Sequence, residues 1–235
     1  MIIEGIATNL QDVIDLNTFG ADRIELCSEI QKDGLTPNLK LVKEAVSLTE
    51  IPINVMVRPH DRSFVYSKIE LRDMAEQINE ISNYGADGIV LGALTKNQNI
   101  DVQAMNYLTS VSDNMHITFH KAFDQVANPI MALDILLQYP HIKVILTSGG
   151  KGSVLDNFLN LEKLIKRTKN KSIEIMPGGG IDTTNISEVS RKLRSKSIHC
   201  GRGIRHENSF KNSISKQKMV FMKNNILRCC EDFSI

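Results

Sequence analysis

The fold is decided by the stretch GADRIELC (20–27), which recurs in altered form as GADGIVLGA (85–93). In both segments a glycine follows a stretch of helical periodicity, and a short apolar run follows the glycine. Glycine commonly ends an α-helix because it adopts the left-handed backbone conformation, and apolar runs of about four to eight residues are typical of buried strands. The repeated joint therefore predicts a chain in which helices alternate with buried strands.

Eight such runs occur along the 235 residues. They are IIEGIAT (2–8), RIELC (23–27), INVMVRP (53–59), GIVLGA (88–93), HITFHKA (116–122), KVILTS (143–148), IEIMPGG (173–179) and SIHCG (197–201). Eight strands alternating with helices over about 250 residues are typical of an α/β fold, a single (β/α)8 barrel of the TIM type. An open doubly wound sheet is the alternative, but no GxGxxG motif follows the first strand.

The predicted barrel occupies residues 1–205, and residues 206–235 are expected to form a C-terminal closing helix and a tail packed on the barrel. The formal net charge is +1 with interspersed charges, so we expect neither a nucleic-acid partner nor a membrane partner. The first residues lack the pattern of a signal peptide, and the cysteines show no CxxC spacing, which together predict a cytoplasmic protein with reduced thiols. These cysteines are Cys27, Cys200, Cys229 and Cys230.

Side chains of a strand alternate between its two faces. In RIELC this alternation places Ile24 and Leu26 against the helices and Arg23, Glu25 and Cys27 in the lumen. It sends a further polar set inward: Glu4, Arg58, His120, Glu174 and His199. A barrel lumen is usually filled by valine, isoleucine and leucine, so these charges indicate either an internal ion-pair network or an active site at the strand ends.

Five residues are our candidates for proton transfer, because carboxylates and imidazoles supply general acids and bases. They are Glu25, His120, Asp124, Glu174 and His199. His120 ends the fifth strand, and Asp124 follows in the next loop, where a carboxylate could fix the tautomer of the imidazole. The alternative is that Asp124 only caps the helix that follows.

Glycine-rich loops follow the seventh and eighth strands as PGGGI (177–181) and CGRGI (200–204), and TSGG (147–150) follows the sixth. Such loops expose backbone N–H groups, and barrels often bind phosphate there. The predicted anion-binding residues are Arg58, Thr147, Ser148, Gly149, Gly178, Gly179, Gly180 and Gly203. The alternative is that the glycines serve only tight turns.

Three inward residues carry sulfur: Cys27, Met56 and Met176. Thiolate and thioether ligands suit Cu(I), which makes these residues candidate copper ligands, although methionine in a lumen is more often a packing residue. The harder donors among the inward side chains could hold a divalent ion, but their spacing matches no short metal motif.

The chain resembles the CutC family, whose members are often called copper homeostasis proteins. The resemblance rests on GADRIELC (20–27), VMVRP (55–59), GADGIVLGALT (85–95), ITFHKAFD (117–124), IEIMPGGGI (173–181) and IHC (198–200). It implies a TIM-type barrel, a cytoplasmic location, oligomers and a link to copper. The family's copper binders pair the cysteine that matches Cys27 with a second cysteine, but this chain has Ile6 at the second position. The chain also differs in the loop after the third strand, where it has RPHDRSF (58–64) in place of the family's RPRGGDF.

Two functions therefore stay open. One is Cu(I) binding by Cys27 assisted by Met56 or Met176. The other is an enzyme of lyase, isomerase or hydrolase type that acts by acid–base chemistry on a small anionic or phosphorylated substrate. The sequence does not decide between them.

Overall fold

The computed structural model describes residues 1–112 and 115–231, with side chains described up to residue 226. It contains eight parallel strands in the order β7-β6-β5-β4-β3-β2-β1-β8. They are β1 (Ile2–Ala7), β2 (Arg23–Leu26), β3 (Ile53–Met56), β4 (Gly88–Leu91), β5 (His116–Phe119), β6 (Ile142–Thr147), β7 (Glu174–Pro177) and β8 (Ser197–Cys200). A bridge between Gly178 and His199 joins β7 to β8. The predicted (β/α)8 barrel is thus confirmed.

Eight α-helices surround the strands within the described residues. They are α1 (Leu10–Phe19), α2 (Leu39–Ser47), α3 (Lys68–Asn83), α4 (Val102–Ser110), α5 (Pro129–Leu136), α6 (Phe158–Thr168), α7 (Ile186–Leu193) and α8 (Lys216–Glu231). Side-chain oxygens of Asn9, Asn38, Ser67, Asp101 and Asn128 cap the first backbone N–H groups of α1 to α5. These caps satisfy donors that the helix itself cannot pair.

The glycines of the repeated joint follow their helices with a left-handed backbone, as the sequence predicts. Gly20 ends α1 with φ 89°, and Gly85 follows α3 with φ 82°, which places both in the left-handed region. The alternation of side chains is also confirmed. Ile24 and Leu26 lie in the core between strands and helices, whereas Cys27 belongs to a separate cluster inside the barrel.

The segment after β8 packs on the barrel. Met219, Met222 and Ile226 of α8 are buried in the same core as the barrel helices, and α8 contacts α1 and α7. The side chains of Cys229 and Cys230 and the residues from 232 onward lie outside the described part. Among the helices described, none is long and apolar enough to cross a membrane.

Arg205 ties this segment to the start of the chain. Its guanidinium is 1% exposed and donates to both carboxylate oxygens of Asp12, at 3.0 and 2.7 Å. It also donates to the carbonyl oxygens of Ile6 at 3.1 Å and Asn212 at 3.0 Å. The ring of Phe210 covers the guanidinium at 4.9 Å. The loop over residues 206–215 is thereby held beside the carboxyl ends of the strands.

Candidate functional site

A cleft of about 1680 Å³ opens at the carboxyl ends of the strands. Parallel barrels place their active sites at this end because the loops there carry side chains from every strand. The cleft is lined by residues of several strands and loops, among them Glu25, Met56, Arg58, Phe64, His120, Ser148, Gly179, Gly180, His199, Gly203 and Phe210. Most of the predicted site therefore converges here.

A buried network of two carboxylates and an imidazole forms one wall of the cleft. Glu4 Oε1 lies 2.8 Å from His199 Nδ1, and Arg23 Nε donates to Glu4 Oε2 at 2.5 Å. Asn54 Nδ2 also donates to Glu4 Oε2, at 3.3 Å. On the other side of the imidazole, His199 Nε2 lies 3.8 Å from Glu25 Oε1. His199 is therefore held between two carboxylates.

The two carboxyl groups have opposite pKa shifts. Burial alone would raise the pKa of Glu4, but the charges of Arg23 and His199 outweigh it and lower that pKa to about 2. Burial raises the pKa of Glu25 to about 7, because His199 and Arg23 offset it only in part and Glu4 adds to it. Burial would lower the pKa of His199, but Glu25 and Glu4 outweigh it and raise the pKa.

The same three side chains form a group that could hold a metal ion. One ligand atom each from Glu4, Glu25 and His199 lie within 4.8 Å of one another, and all three residues are buried. Glu4 was expected to face the lumen as one of the harder donors for a divalent ion, but it was not among our candidates for proton transfer. Its position opposite His199 in the β1–β8 pairing is what brings it into the site.

His120 and Arg58 line another part of the same cleft. His120 Nδ1 accepts the N–H of Ala122 at 3.2 Å, while the buried Nε2 has no hydrogen-bond partner within the described structure. Burial, with a contribution from Arg58, lowers the pKa of His120 to about 3. Arg58 donates through Nη1 to the carbonyl oxygens of Lys32 at 2.7 Å and Gly34 at 3.0 Å. The imidazole is therefore neutral at pH 7 beside a fixed cation.

Asp124 does not pair with His120 as the sequence suggested. Its carboxylate accepts from the hydroxyl of Thr147, the hydroxyl of Ser148 at 2.7 Å and the backbone N–H groups of Ser148 and Gly150. Asp124 thus organises the loop after β6. The hydroxyl groups of Thr147 and Ser148 already donate to this carboxylate. They are therefore not available to bind an anion in the way that we expected.

Glu174 lies at the wrong end of the barrel for the role that we predicted. It is the first residue of β7, and its carboxylate accepts the hydroxyl of Ser197, the first residue of β8. The alternation of residues predicts on which face of a strand a side chain lies, but not how deep in the lumen it lies. Glu174 lies at the amino ends of the strands. It is not among the residues that line the cleft.

The glycine-rich loops meet the cleft in part. Gly179, Gly180 and Gly203 line it, whereas Gly149 and Gly178 do not. At Gly203 a Cβ atom would come within 2.0 Å of the carbonyl oxygen of Ile181, so the two loops touch backbone to backbone. This contact requires glycine whether or not the loops bind an anion.

Cationic side chains also line the cleft, beside the anion-binding residues predicted from the sequence. They are Lys121, Lys151, Arg202 and Lys211. Strict alternation along the fifth strand would point Lys121 away from the lumen. It reaches the cleft because β5 ends at Phe119 and Lys121 begins a short helical turn, where alternation no longer applies. Its Nζ lies 3.8 Å from Asp124 Oδ2.

The three sulfur-bearing candidates do not form one site. Cys27 and Met56 share a buried cluster with Ile6, and Phe210 packs on it. Met176 lies in another cluster, and its sulfur accepts from Arg23 Nη2 at 3.1 Å. Burial raises the pKa of the Cys27 thiol. A sulfur site is thus confined to the pair Cys27 and Met56.

The chain shares its architecture and its sequence with known proteins. It is 36% identical over 93% of its length to a CutC family protein of Glaesserella parasuis, of which it covers 89%. It is 35% identical over 85% of its length to the human protein named copper homeostasis protein cutC homolog, of which it covers 72%.

Solved structures agree with this relationship. The crystal structure of CutC from Streptococcus agalactiae matches with a TM-score of 0.80 and 31% identity, covering 86% of this chain and 98% of that one. A phosphoribosyl anthranilate isomerase from Thermococcus kodakaraensis matches with a TM-score of 0.63 over 98% of this chain and 99% of that one. At 16% identity this second likeness concerns the fold alone. Residues 1–204 match the CutC family, and the chain therefore belongs to that family.

Proposed function

We propose that the cleft binds a small anionic compound and converts it, with Arg58 and His120 as the groups that hold and polarise it. One observation carries the proposal. Glu25 Oε2, Arg58 Nε and His120 Nε2 are buried, have no hydrogen-bond partner among the described residues and belong to side chains that line one cleft. Buried polar atoms are nearly always bonded, so three in one place support a ligand that completes them.

The charge of the cleft favours an anion. Arg58 is 5% exposed, and two carbonyl oxygens hold its Nη1 in place. Its guanidinium also lies against the ring of Phe64, 4.9 Å from the centroid. An arginine fixed in this way offers its remaining N–H groups in one direction. Further cations line the cleft together with the carboxylates of Glu25, Asp33, Asp124 and Asp182, so the fixed guanidinium of Arg58, rather than a large net charge, favours an anion.

His120 is suited to polarise a bound oxygen atom. Because Nδ1 accepts the N–H of Ala122, the hydrogen-bond network assigns the ring hydrogen to Nε2. A neutral imidazole that presents N–H to a buried space can donate to a carbonyl or to a developing oxyanion. Glu25, whose Oε2 lacks a partner among the described residues, supplies an acceptor to the same cleft. This combination is consistent with lyase, isomerase or hydrolase chemistry.

The test is calorimetric titration with inorganic phosphate, followed by a panel of phosphorylated and carboxylate compounds. We expect binding to the wild type and at least tenfold weaker binding to Arg58→Gln. Arg62→Gln is the matched control, because Arg62 lies in the same loop with a side chain 70% exposed and should keep wild-type affinity. Absence of anion binding, or equal affinities in the two variants, would contradict the proposal.

A second candidate function is Cu(I) binding by Cys27 and Met56, in keeping with the copper-homeostasis name of relatives. The two side chains flank one point, since a Cβ on Gly34 would lie 3.4 Å from Cys27 Sγ and 3.6 Å from Met56 Cε. A thiolate and a thioether suit two-coordinate Cu(I), and Cys27 is a free thiol that fits a cytoplasmic setting. A Cu(I) competition titration tests this function. Cys27→Ser should lose affinity for Cu(I), and Met176→Leu should keep the wild-type affinity. Equal affinity for Cu(I) in Cys27→Ser and in the wild type would contradict it.

A further inference from the structure

We propose that Glu25 and His199 hold a divalent transition-metal ion at the wall of the cleft, with Glu4 orienting the histidine from behind. The arrangement is linear: Glu4 Oε1 lies 2.8 Å from His199 Nδ1, and His199 Nε2 lies 3.8 Å from Glu25 Oε1. A carboxylate that accepts the second ring N–H of a metal-binding histidine is a common outer-shell feature of metal sites, because it fixes the tautomer and raises the basicity of the ligand nitrogen.

The distance between His199 Nε2 and Glu25 Oε1 suits an ion that both atoms bind. At 3.8 Å, His199 Nε2 and Glu25 Oε1 are too far apart for a hydrogen bond. Bonds of about 2.0–2.2 Å from zinc to nitrogen and oxygen place two tetrahedral ligand atoms roughly 3.4 Å apart. A shift of a few tenths of an ångström therefore converts the present spacing into a coordination geometry.

The charges at this wall leave room for a cation. Glu4 is matched by Arg23, whose Nε donates to it at 2.5 Å. Glu25 is 3% exposed, and its Oε2 has no hydrogen-bond partner in the described part of the chain. His199 and Arg23 offset the burial of this carboxylate only in part, and a bound cation lowers the remaining cost. The unpartnered oxygen is the observation, independent of the spacing, that indicates a ligand.

The donor set defines the class of ion. An imidazole nitrogen with carboxylate oxygens suits zinc and its first-row neighbours better than magnesium, which prefers oxygen ligands alone. Glu25 and His199 line the cleft, so the remaining coordination positions open toward water or substrate. The site is separate from the pair Cys27 and Met56, whose soft sulfur atoms suit Cu(I).

This inference deepens the proposed function, because an ion at this wall offers a coordination position to the same small anion that Arg58 holds. Its test needs no anion and no turnover, so the two proposals can fail separately. An anion site without metal would leave the calorimetric result for Arg58→Gln intact, and a metal site without anion would leave the metal titration intact.

The experiment is a competition titration of Zn²⁺ against a chromophoric chelator on the full chain, after removal of metal by dialysis. We expect about one Zn²⁺ per chain in the wild type. Glu4→Gln should weaken binding about 10–100-fold, as outer-shell changes do, and Glu25→Gln should weaken it more. Glu174→Gln and Cys27→Ser should bind like the wild type, because neither residue belongs to the site. Circular dichroism verifies that each variant is folded.

Co²⁺ provides a second readout that does not depend on affinity. Bound Co²⁺ should give visible d–d bands in the wild type without a thiolate charge-transfer band, and Glu25→Gln should lose the d–d bands. The proposal is overturned if the wild type binds no Zn²⁺, if Glu25→Gln retains wild-type affinity, or if Cys27→Ser removes the ion.

Discussion

The neutral state of His120 can be measured through the stability of the protein. The perturbation is His120→Gln, which removes the titrating ring. Burial, with Arg58 contributing, lowers the pKa of His120 to about 3 in the folded protein, whereas an unfolded histidine has a pKa of about 6.5. Between these two values the unfolded chain binds a proton that the folded chain resists. The free energy of unfolding therefore decreases as the pH falls from about 6.5 toward 3.

The magnitude follows from linkage. Each pH unit inside that window costs about 1.4 kcal/mol, so one such group removes about 2 kcal/mol of stability between pH 7 and pH 5. His120→Gln lacks this dependence. The difference in unfolding free energy between wild type and variant should therefore shift by about 2 kcal/mol against the wild type over the same range. Groups that titrate alike in both proteins cancel in this difference.

The assay is urea unfolding of both proteins at half-unit steps from pH 5 to pH 7.5. The slope with denaturant must stay equal in the two proteins, which shows that the unfolded states are comparable. If the two free-energy profiles run parallel, His120 takes up its proton like an unfolded histidine. The neutral donor on which the proposed polarisation depends would then be refuted.

Three further substitutions have defined outcomes. Arg205→Met leaves the buried Asp12 carboxylate without its guanidinium and should lower the free energy of unfolding, measured in urea, by about 3–5 kcal/mol. A loss under about 1 kcal/mol would contradict a stabilising role for the contact between Arg205 and Asp12. Gly203→Ala forces a Cβ to within 2.0 Å of the Ile181 carbonyl oxygen and should lower the melting temperature, with unchanged melting as the contrary result. Glu174→Gln should leave phosphate binding in the calorimeter unchanged, and a tenfold loss would return Glu174 to the site.

The sequence predicted the parts of the fold that depend on local periodicity. Alternation in RIELC assigned Ile24 and Leu26 to the core and Glu25 to the lumen, and the structure confirms this. The glycine joints were equally clear, because Gly20 and Gly85 need a left-handed backbone. Local pattern is sufficient in these cases because burial on one face is a property of each strand by itself.

The site was harder to predict because it depends on depth and on contacts between distant strands. Glu174 and Glu25 have the same inward parity, yet they lie at opposite levels of the lumen. Glu4 enters the site only through the pairing of β1 with β8. The partners of Asp124 lie 23, 24 and 26 residues further along the chain. No periodicity within one segment carries this information.

The placement of β1 beside β8 has a consequence for synthesis on the ribosome. The contact between Glu4 and His199 joins residues 195 positions apart, so β8 must leave the exit tunnel before the ring can shut. Until then the nascent chain is an open sheet whose first and last strands each have an unpaired edge, the kind of surface that chaperones bind and that aggregation exploits. The polar wall of the cleft is therefore assembled only after β8 has left the ribosome.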